Sequence, residues 1–202
     1  MPFAQLPSEI PSGLATADFL LRPLLTTDVE LDYAAVMESK IELRPWEQTG
    51  WPADDFTVAD DLVDLVDLEE RHRDRRSLTY TVMNLDETEC LGCVYLMPPD
   101  ATSFTHSEIA PLGDDRWSDV GAAVYFWVRT SRLASGLDGR LLDALRGWIA
   151  RDWQLGRHVF VTNEQCAQQV ELIRDAGLEL RFRIQGPGQA GAFLAYEDGA
   201  NS

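Results

Sequence analysis

The stretch that most restricts the fold is Val120–Trp153, VGAAVYFWVRTSRLASGLDGRLLDALRGWIARDW. Its first nine residues, Val120 to Val128, are almost wholly apolar, rich in Val and aromatics, and too few for a separate helix. A strand covered on both faces has that composition, because neither face meets water. Arg129 to Gly139 carries turn chemistry. Leu141, Leu142, Leu145, Trp148 and Ile149 then recur at helical spacing, so one stripe of a helix faces a core. A strand, a glycine-bearing loop and a helix start make an anion site, since the first helical N–H groups lack partners and the helix dipole favours negative charge there. The same pattern also suits an ordinary strand–helix unit that binds nothing, and these residues alone leave both readings open.

A chain of 202 residues, 45% hydrophobic, can bury a full core. One domain is expected over residues 18–198, behind a flexible lead-in at 1–17. Against 34 acidic residues stand 17 basic ones, a net charge of −17. Such a surface repels phosphate backbones and anionic membranes, so neither nucleic acid nor a membrane is an expected partner. No apolar run reaches the roughly 20 residues that span a bilayer. The opening MPFAQLPSEIPSGLATAD has no basic region followed by an apolar core and does not read as a secretory signal. Three cysteines cannot all pair, and a reducing cytoplasm is the simplest home.

In chain order, Phe19–Leu24 reads as a first strand, and Thr27 with Glu30 as a capping box opening a helix with Val29, Tyr33, Val36 and Met37 on one face. RPWEQTGWP, Arg44 to Pro52, reads as a loop whose tryptophans serve as core lids or pocket walls, the lid being favoured. Thr57 and Asp60 cap a second helix that buries Val58, Leu62, Leu65 and Val66 and turns Asp61, Asp64 and Asp67 to water. His72 then falls on a solvated helix end. Leu78–Met83 alternates as a half-buried strand and forms a hairpin with Cys90–Met97, while Asp100 to Ser118 reads as a surface loop. After the central unit come a strand at His158–Thr162 and a short helix closed by Gly177. An alternating strand from Leu178 and a last strand at Ala192–Tyr196 complete the chain. The order is β-α-α-β-β-β-α-β-α-β-β.

That order, with VYFWVRTSRLASGLDGRLLDAL, VFVTNEQCAQQVELIRDAGLE and FLLRPL…TTDVE at these places, resembles the GCN5-related N-acetyltransferase superfamily over roughly Phe19 to Tyr196. The resemblance implies an α/β (α+β) fold, a mixed sheet of about seven strands flanked by about four helices. It implies acetyl-CoA (or CoA) as cofactor, held in a gap between splayed fourth and fifth strands. Contacts would come from Trp127, Val128 and Arg129, from the loop residues Arg132, Leu133, Ser135, Gly136, Leu137, Gly139 and Arg140, and from Asn163. The implied reaction is direct attack on the thioester by an amine of a small molecule or peptide, and association into a homodimer is left open.

The chain departs from the family pattern. Aligning Gly136 with the first loop glycine puts Leu133 at the Arg/Gln position and Asp138 at a small-residue position, where its charge opposes a diphosphate. Residues 167–176 carry no Tyr to act as general acid, and Ala122-Ala123-Val124 offers no carboxylate base. Candidates for catalysis are Tyr125 on the central strand and Glu108, Asp119 and His106 before it, each of which also reads as ordinary packing or a solvated polar group. Cys166 reads as packing. A non-catalytic binding module is the rival, and the orientation of Asp138 discriminates. Cys90-Leu91-Gly92-Cys93 has C-x-x-C spacing, but strand residues three apart point to opposite faces, so a disulfide is geometrically poor. Without a second cysteine pair no metal is expected.

Overall fold

The computed structural model describes residue 3 and residues 6–199. Of the predicted lead-in, residues 1, 2, 4 and 5 lie outside the described residues. The rest of it is packed: Phe3 is buried, Tyr80 donates to the Pro11 carbonyl at 2.7 Å, and β1 (Leu14–Ala15) pairs with β2 (Leu20–Pro23). After β2, α1 (Val29–Glu38) runs into α2 (Lys40–Glu47) at a break on Ser39. Then follow α3 (Val58–Arg73), β3 (Leu78–Met83), β4 (Cys90–Met97), a single turn α4 (Thr102–Thr105) and β5 (Glu108–Pro111). The central unit is β6 (Ala122–Val128), a single turn α5 (Thr130–Leu133) and α6 (Leu137–Asp152). The chain ends with β7 (His158–Asn163), α7 (Ala167–Asp175), β8 (Leu178–Gln185) and β9 (Phe193–Asp198).

The nine strands form one sheet in the order β1-β2-β3-β4-β6-β7-β9-β8-β5, with β6–β7 the parallel pair at its centre. The mixed α/β class is the expected one. Two strands exceed the expected seven because β1 and β5 add short edges, and β5 lies inside the segment read as a surface loop. Along β6 the side chains alternate as its composition requires. Val124, Phe126 and Val128 join a core under α6 and α7, while Ala123, Tyr125 and Trp127 face the opposite side. Helix α6 buries Leu141, Leu145 and Trp148 in the first of these cores.

Several local readings are corrected. The first helix is opened by Asp28, whose carboxylate accepts from the Leu25 N–H, and not by a Thr27–Glu30 box. Helix α2 runs through Pro45 to Glu47 across part of the expected loop. The Thr57–Asp60 box forms as expected, but α3 is turned about its axis. Asp61 and Leu65 are each 1% exposed, whereas Leu62, Val63 and Val66 are 40, 68 and 42% exposed. The inward-facing side carries Asp64, which accepts from Trp51 Nε1 at 3.0 Å. His72 is half-buried, its Nδ1 lying 2.9 Å from the Thr79 carbonyl oxygen and 3.2 Å from the Thr79 nitrogen. Strand β3 is buried on both faces, because α3 covers its threonine side.

The C-x-x-C reading also changes. Met83 pairs with Cys90 and Val82 with Gly92, so Leu91 is an extra residue in β4. That bulge resets the alternation: Leu91 and Val94 enter one core, Cys90 and Cys93 together enter the other. Gly92 sits at φ +151, and a Cβ there would stand 2.1 Å from the Trp127 carbonyl oxygen. We predict that Gly92→Ala costs about 1–3 kcal/mol in backbone strain alone, with the clash added, read as a lower urea midpoint at unchanged m-value.

Candidate active site

Strands β6 and β7 pair at Ala122↔His158, Ala123↔Val159 and Val124↔Phe160 and then diverge. The gap opens into a largely apolar cavity of about 270 Å³. Its walls are α2, including Trp46, the Phe126–Val128 end of β6, Leu133, and residues 165–169 at the start of α7. Where the strands part, Gln169 spans them: its Nε2 donates to the Phe126 carbonyl at 2.8 Å and its Oε1 accepts from Thr162 Oγ1 at 2.5 Å. This side chain takes over a backbone acceptor that the lost strand pairing leaves open.

Gly136, at φ +70, turns the loop into α6. The N–H groups of Leu137, Asp138 and Gly139 have no acceptor among the described residues, as expected for a helix N-terminus. The loop's cations are already engaged. Arg129 bonds Glu38 and Glu89, Arg132 bonds Glu89, and Arg140 bonds Asp18 and the Ser135 carbonyl. Glu38 also accepts from the Ser131 N–H at 3.0 Å, and with Arg129 as the main cause its carboxyl is pushed down to about 2. Asp138 is buried, lines the cavity and accepts from Gln168 Nε2. It turns toward the cleft rather than to water. Asn163 is fully buried, its Oδ1 accepting from the Gln165 N–H while its Nδ2 has no partner among the described residues.

On the opposite face of β6, Tyr125 sits within 6.3 Å of the rings of Trp46, Phe104 and Phe193. Burial holds its phenol above the usual range, with the nearby Glu47 charge adding to the effect. Burial likewise raises Glu47. Glu108 and Asp119 do not join this group. Glu108 is exposed on β5 at the far sheet edge, and Asp119 is exposed at the end of β6 away from the cleft. His106 is exposed beside α4. Cys166 lines the cavity, but burial raises its thiol to about 11, which suppresses the thiolate. Trp127, Val128 and Leu133 line the cavity. Sequence reading weighed Trp46 as a wall but favoured a lid, and it missed Gln169 as a bridge and Glu47 beside Tyr125. The one signal available was a glutamate following a tryptophan in PWEQ.

Neither a family model nor a curated protein sequence matches the chain. Solved structures do. The ribosomal L7/L12 alpha-N-protein acetyltransferase RimL superposes with a TM-score of 0.65 at 14% identity, covering 94% of this chain and 95% of that one. The microcin C7 self-immunity acetyltransferase MccE, in complex with acetyl-CoA and AMP, gives 0.65 at 14% identity, with 92 and 95% covered. RimJ of Mycobacterium smegmatis, in complex with CoA-disulfide, gives 0.66 at 17% identity, with 88 and 80% covered. The chain has the fold of the GCN5-related N-acetyltransferases. Within that fold the early end of β6–β7 pairing, the glycine-turned loop and the open N-terminus of α6 stand together, with the buried Asp138 beside them.

If a diphosphate docks at the N-terminus of α6, the carboxylate of Asp138 opposes it. Asp138→Asn is predicted to tighten CoA binding by about 5- to 10-fold, roughly 1 kcal/mol or more of relieved repulsion. Calorimetric titration of the two proteins at equal ionic strength checks this.

Proposed function

We propose that the protein is an acyl-CoA-dependent N-acyltransferase, using acetyl-CoA to acetylate an amine of a small molecule or peptide. The observation that carries this reading is the gap between β6 and β7, with its cavity and the unpartnered N–H groups of α6 at one end. Backbone donors at a helix start suit a diphosphate. Acetyl-CoA supplies the thioester. The carbonyl of Phe126 already turns toward the gap, and strand alternation turns the N–H groups of Phe126 and Val128 the same way. Those N–H groups are the donors for the thioester oxygen as negative charge develops on it.

The amine must arrive without its proton. Glu47 is the carboxylate best suited to take it, since it is half-buried, beside Tyr125 and the aromatic wall, and its affinity for protons is raised. Tyr125, held protonated, donates toward the leaving thiolate. The acidic surface steers cationic amines inward. RimL is described as acting on a ribosomal protein and MccE was solved with AMP, so both a peptide and a small-molecule acceptor belong in a screen. One observation favours a second reading, a fold kept for binding alone: Asp138 faces the cleft and the three loop arginines are neutralised.

Thermal shift separates the two. At 100 times its dissociation constant, acetyl-CoA is expected to stabilise by about 2.7 kcal/mol, on the order of 5–10 °C in Tm for a chain of this size. No shift at millimolar acetyl-CoA or CoA would leave only the binding module. With an acceptor in hand, kcat/KM is expected to fall as pH drops through the Glu47 pKa, because protonation removes the base. That limb lies above the usual carboxylate range, since burial raises the group. Glu47→Gln should abolish the limb and lower the rate about 10²- to 10⁴-fold.

A further inference from the structure

Behind the cleft wall, outside the groups assigned to acyl transfer, three ligand-type atoms meet in the core between α1 and β4. Cys90 Sγ lies 3.6 Å and Cys93 Sγ 3.5 Å from Asp32 Oδ1, and all three atoms lie within 4.8 Å of one another. A tetrahedral zinc ion has Zn–S near 2.3 Å and Zn–O of 2.0–2.2 Å, which sets S···O edges of about 3.5–3.6 Å. The atoms therefore already stand near the corners of a zinc tetrahedron. The Leu91 bulge makes this arrangement, by bringing two cysteines three apart onto one face.

A second observation comes from α3. Asp61 is 1% exposed, and neither of its carboxylate oxygens has a hydrogen-bond partner among the described residues. Asp32 is close enough for its charge to act on Asp61. Among the described residues no guanidinium bonds Asp61, and Arg22 is engaged by Asp28 and Glu87. Burying a carboxylate without a donor or cation is strongly unfavourable. The helix nevertheless turns Asp61 inward and leaves Leu62, Val63 and Val66 exposed. Thiol-to-carboxylate hydrogen bonds account for the cysteine distances alone, but they leave Asp61 unexplained.

We propose that Cys90, Cys93 and Asp32 bind a divalent, thiophilic cation of the zinc type, with Asp61, whose oxygens lie outside that three-atom cluster, moving in from α3 as the fourth ligand. Two thiolates and two carboxylates leave no open position, so the site is structural. It would pin α1 and α3 to β4. Trp127 Nε1 donates to Tyr95 Oη at 3.3 Å, and both residues pack with this core, so the cation would brace the wall of the cleft from behind.

The full-length chain, treated with chelator and kept reduced, is titrated with Co(II) and then Zn(II). The expected result is a thiolate-to-cobalt charge-transfer band with tetrahedral d–d bands, saturating at one equivalent and bleached by Zn(II), together with a zinc-dependent rise in Tm. Asp61→Asn should keep the charge-transfer band with affinity lowered about 10- to 100-fold. Cys90→Ser/Cys93→Ser should lose the band. Absence of the band in the reduced wild-type chain overturns the site, as does zinc stabilisation that persists in the double serine variant. The wild-type titration decides even where that variant fails to fold, and it is independent of acetyl-CoA binding.

Discussion

Everything in this structure turns on a strand pair that ends early. Strand β6 is bound to β4 from Ala123 to Val128, but to β7 only through Val124. The far half of β6 therefore has one satisfied edge and one open edge inside the core, where an unpaired backbone group is costly. Two devices answer this. Gln169 reaches across to the Phe126 carbonyl, and α2 closes the mouth with Trp46. Gln48 at the end of α2 exchanges two hydrogen bonds with the backbone of Gly191, at 2.7 and 2.8 Å, which ties that wall to the β8–β9 hairpin. The cleft is thus the consequence of a topology that stops short of full pairing, lined by side chains that keep it from collapsing.

The electrostatics of the cleft are unusual for a site proposed to accept an anion. The chain carries twice as many acidic as basic residues, and near the loop each arginine already has a carboxylate. Glu38 does most: it neutralises Arg129 and caps the short turn α5 through the Ser131 N–H. The loop is therefore held by internal ion pairs before any ligand arrives. What remains to attract a diphosphate is the dipole and open N–H groups of α6, a short-range attraction that long-range charge does not assist. Preorganisation and weak steering are the two sides of that arrangement.

The parts of the fold legible from sequence were those where one periodic signal dominates. Val120–Val128 could only be a doubly covered strand, and Leu141–Ile149 could only present one stripe to it. The Thr57–Asp60 box, the β3–β4 hairpin, the alternation of β8 and Gly177 in the left-handed region all rest on local chemistry. The failures share a different cause. Helix α3 has apolar residues on more than one face, so its rotation is decided by Trp51 and the α1 surface rather than by its own pattern. The bulge at Leu91 is a register event between two strands, invisible to any reading that assumes strict alternation. Glu108 and Asp119 precede β6 in sequence, but the chain leaves for the far edge of the sheet and returns at the wrong end of that strand. Gln169 reaches the cleft, and Glu47 reaches Tyr125, from helices whose docking no local signal states.

The two irregularities of the chain are coupled through one residue. Gly92 lies beside the bulge and lets β4 approach the Trp127 carbonyl more closely than any side chain would allow. The bulge on one side of Gly92 gathers Cys90 and Cys93 against Asp32, and the close approach on the other sets where Trp127 stands in the cleft wall. A fold whose local choices all agree would bury Leu62 and Val66 and expose Asp61. Here the opposite holds, beside a strand that breaks its own alternation. Departures from local preference that cluster in space are costs a sequence bears where a site needs them. That they converge behind the wall of the cleft ties the stability of this layer to the shape of the cavity in front of it.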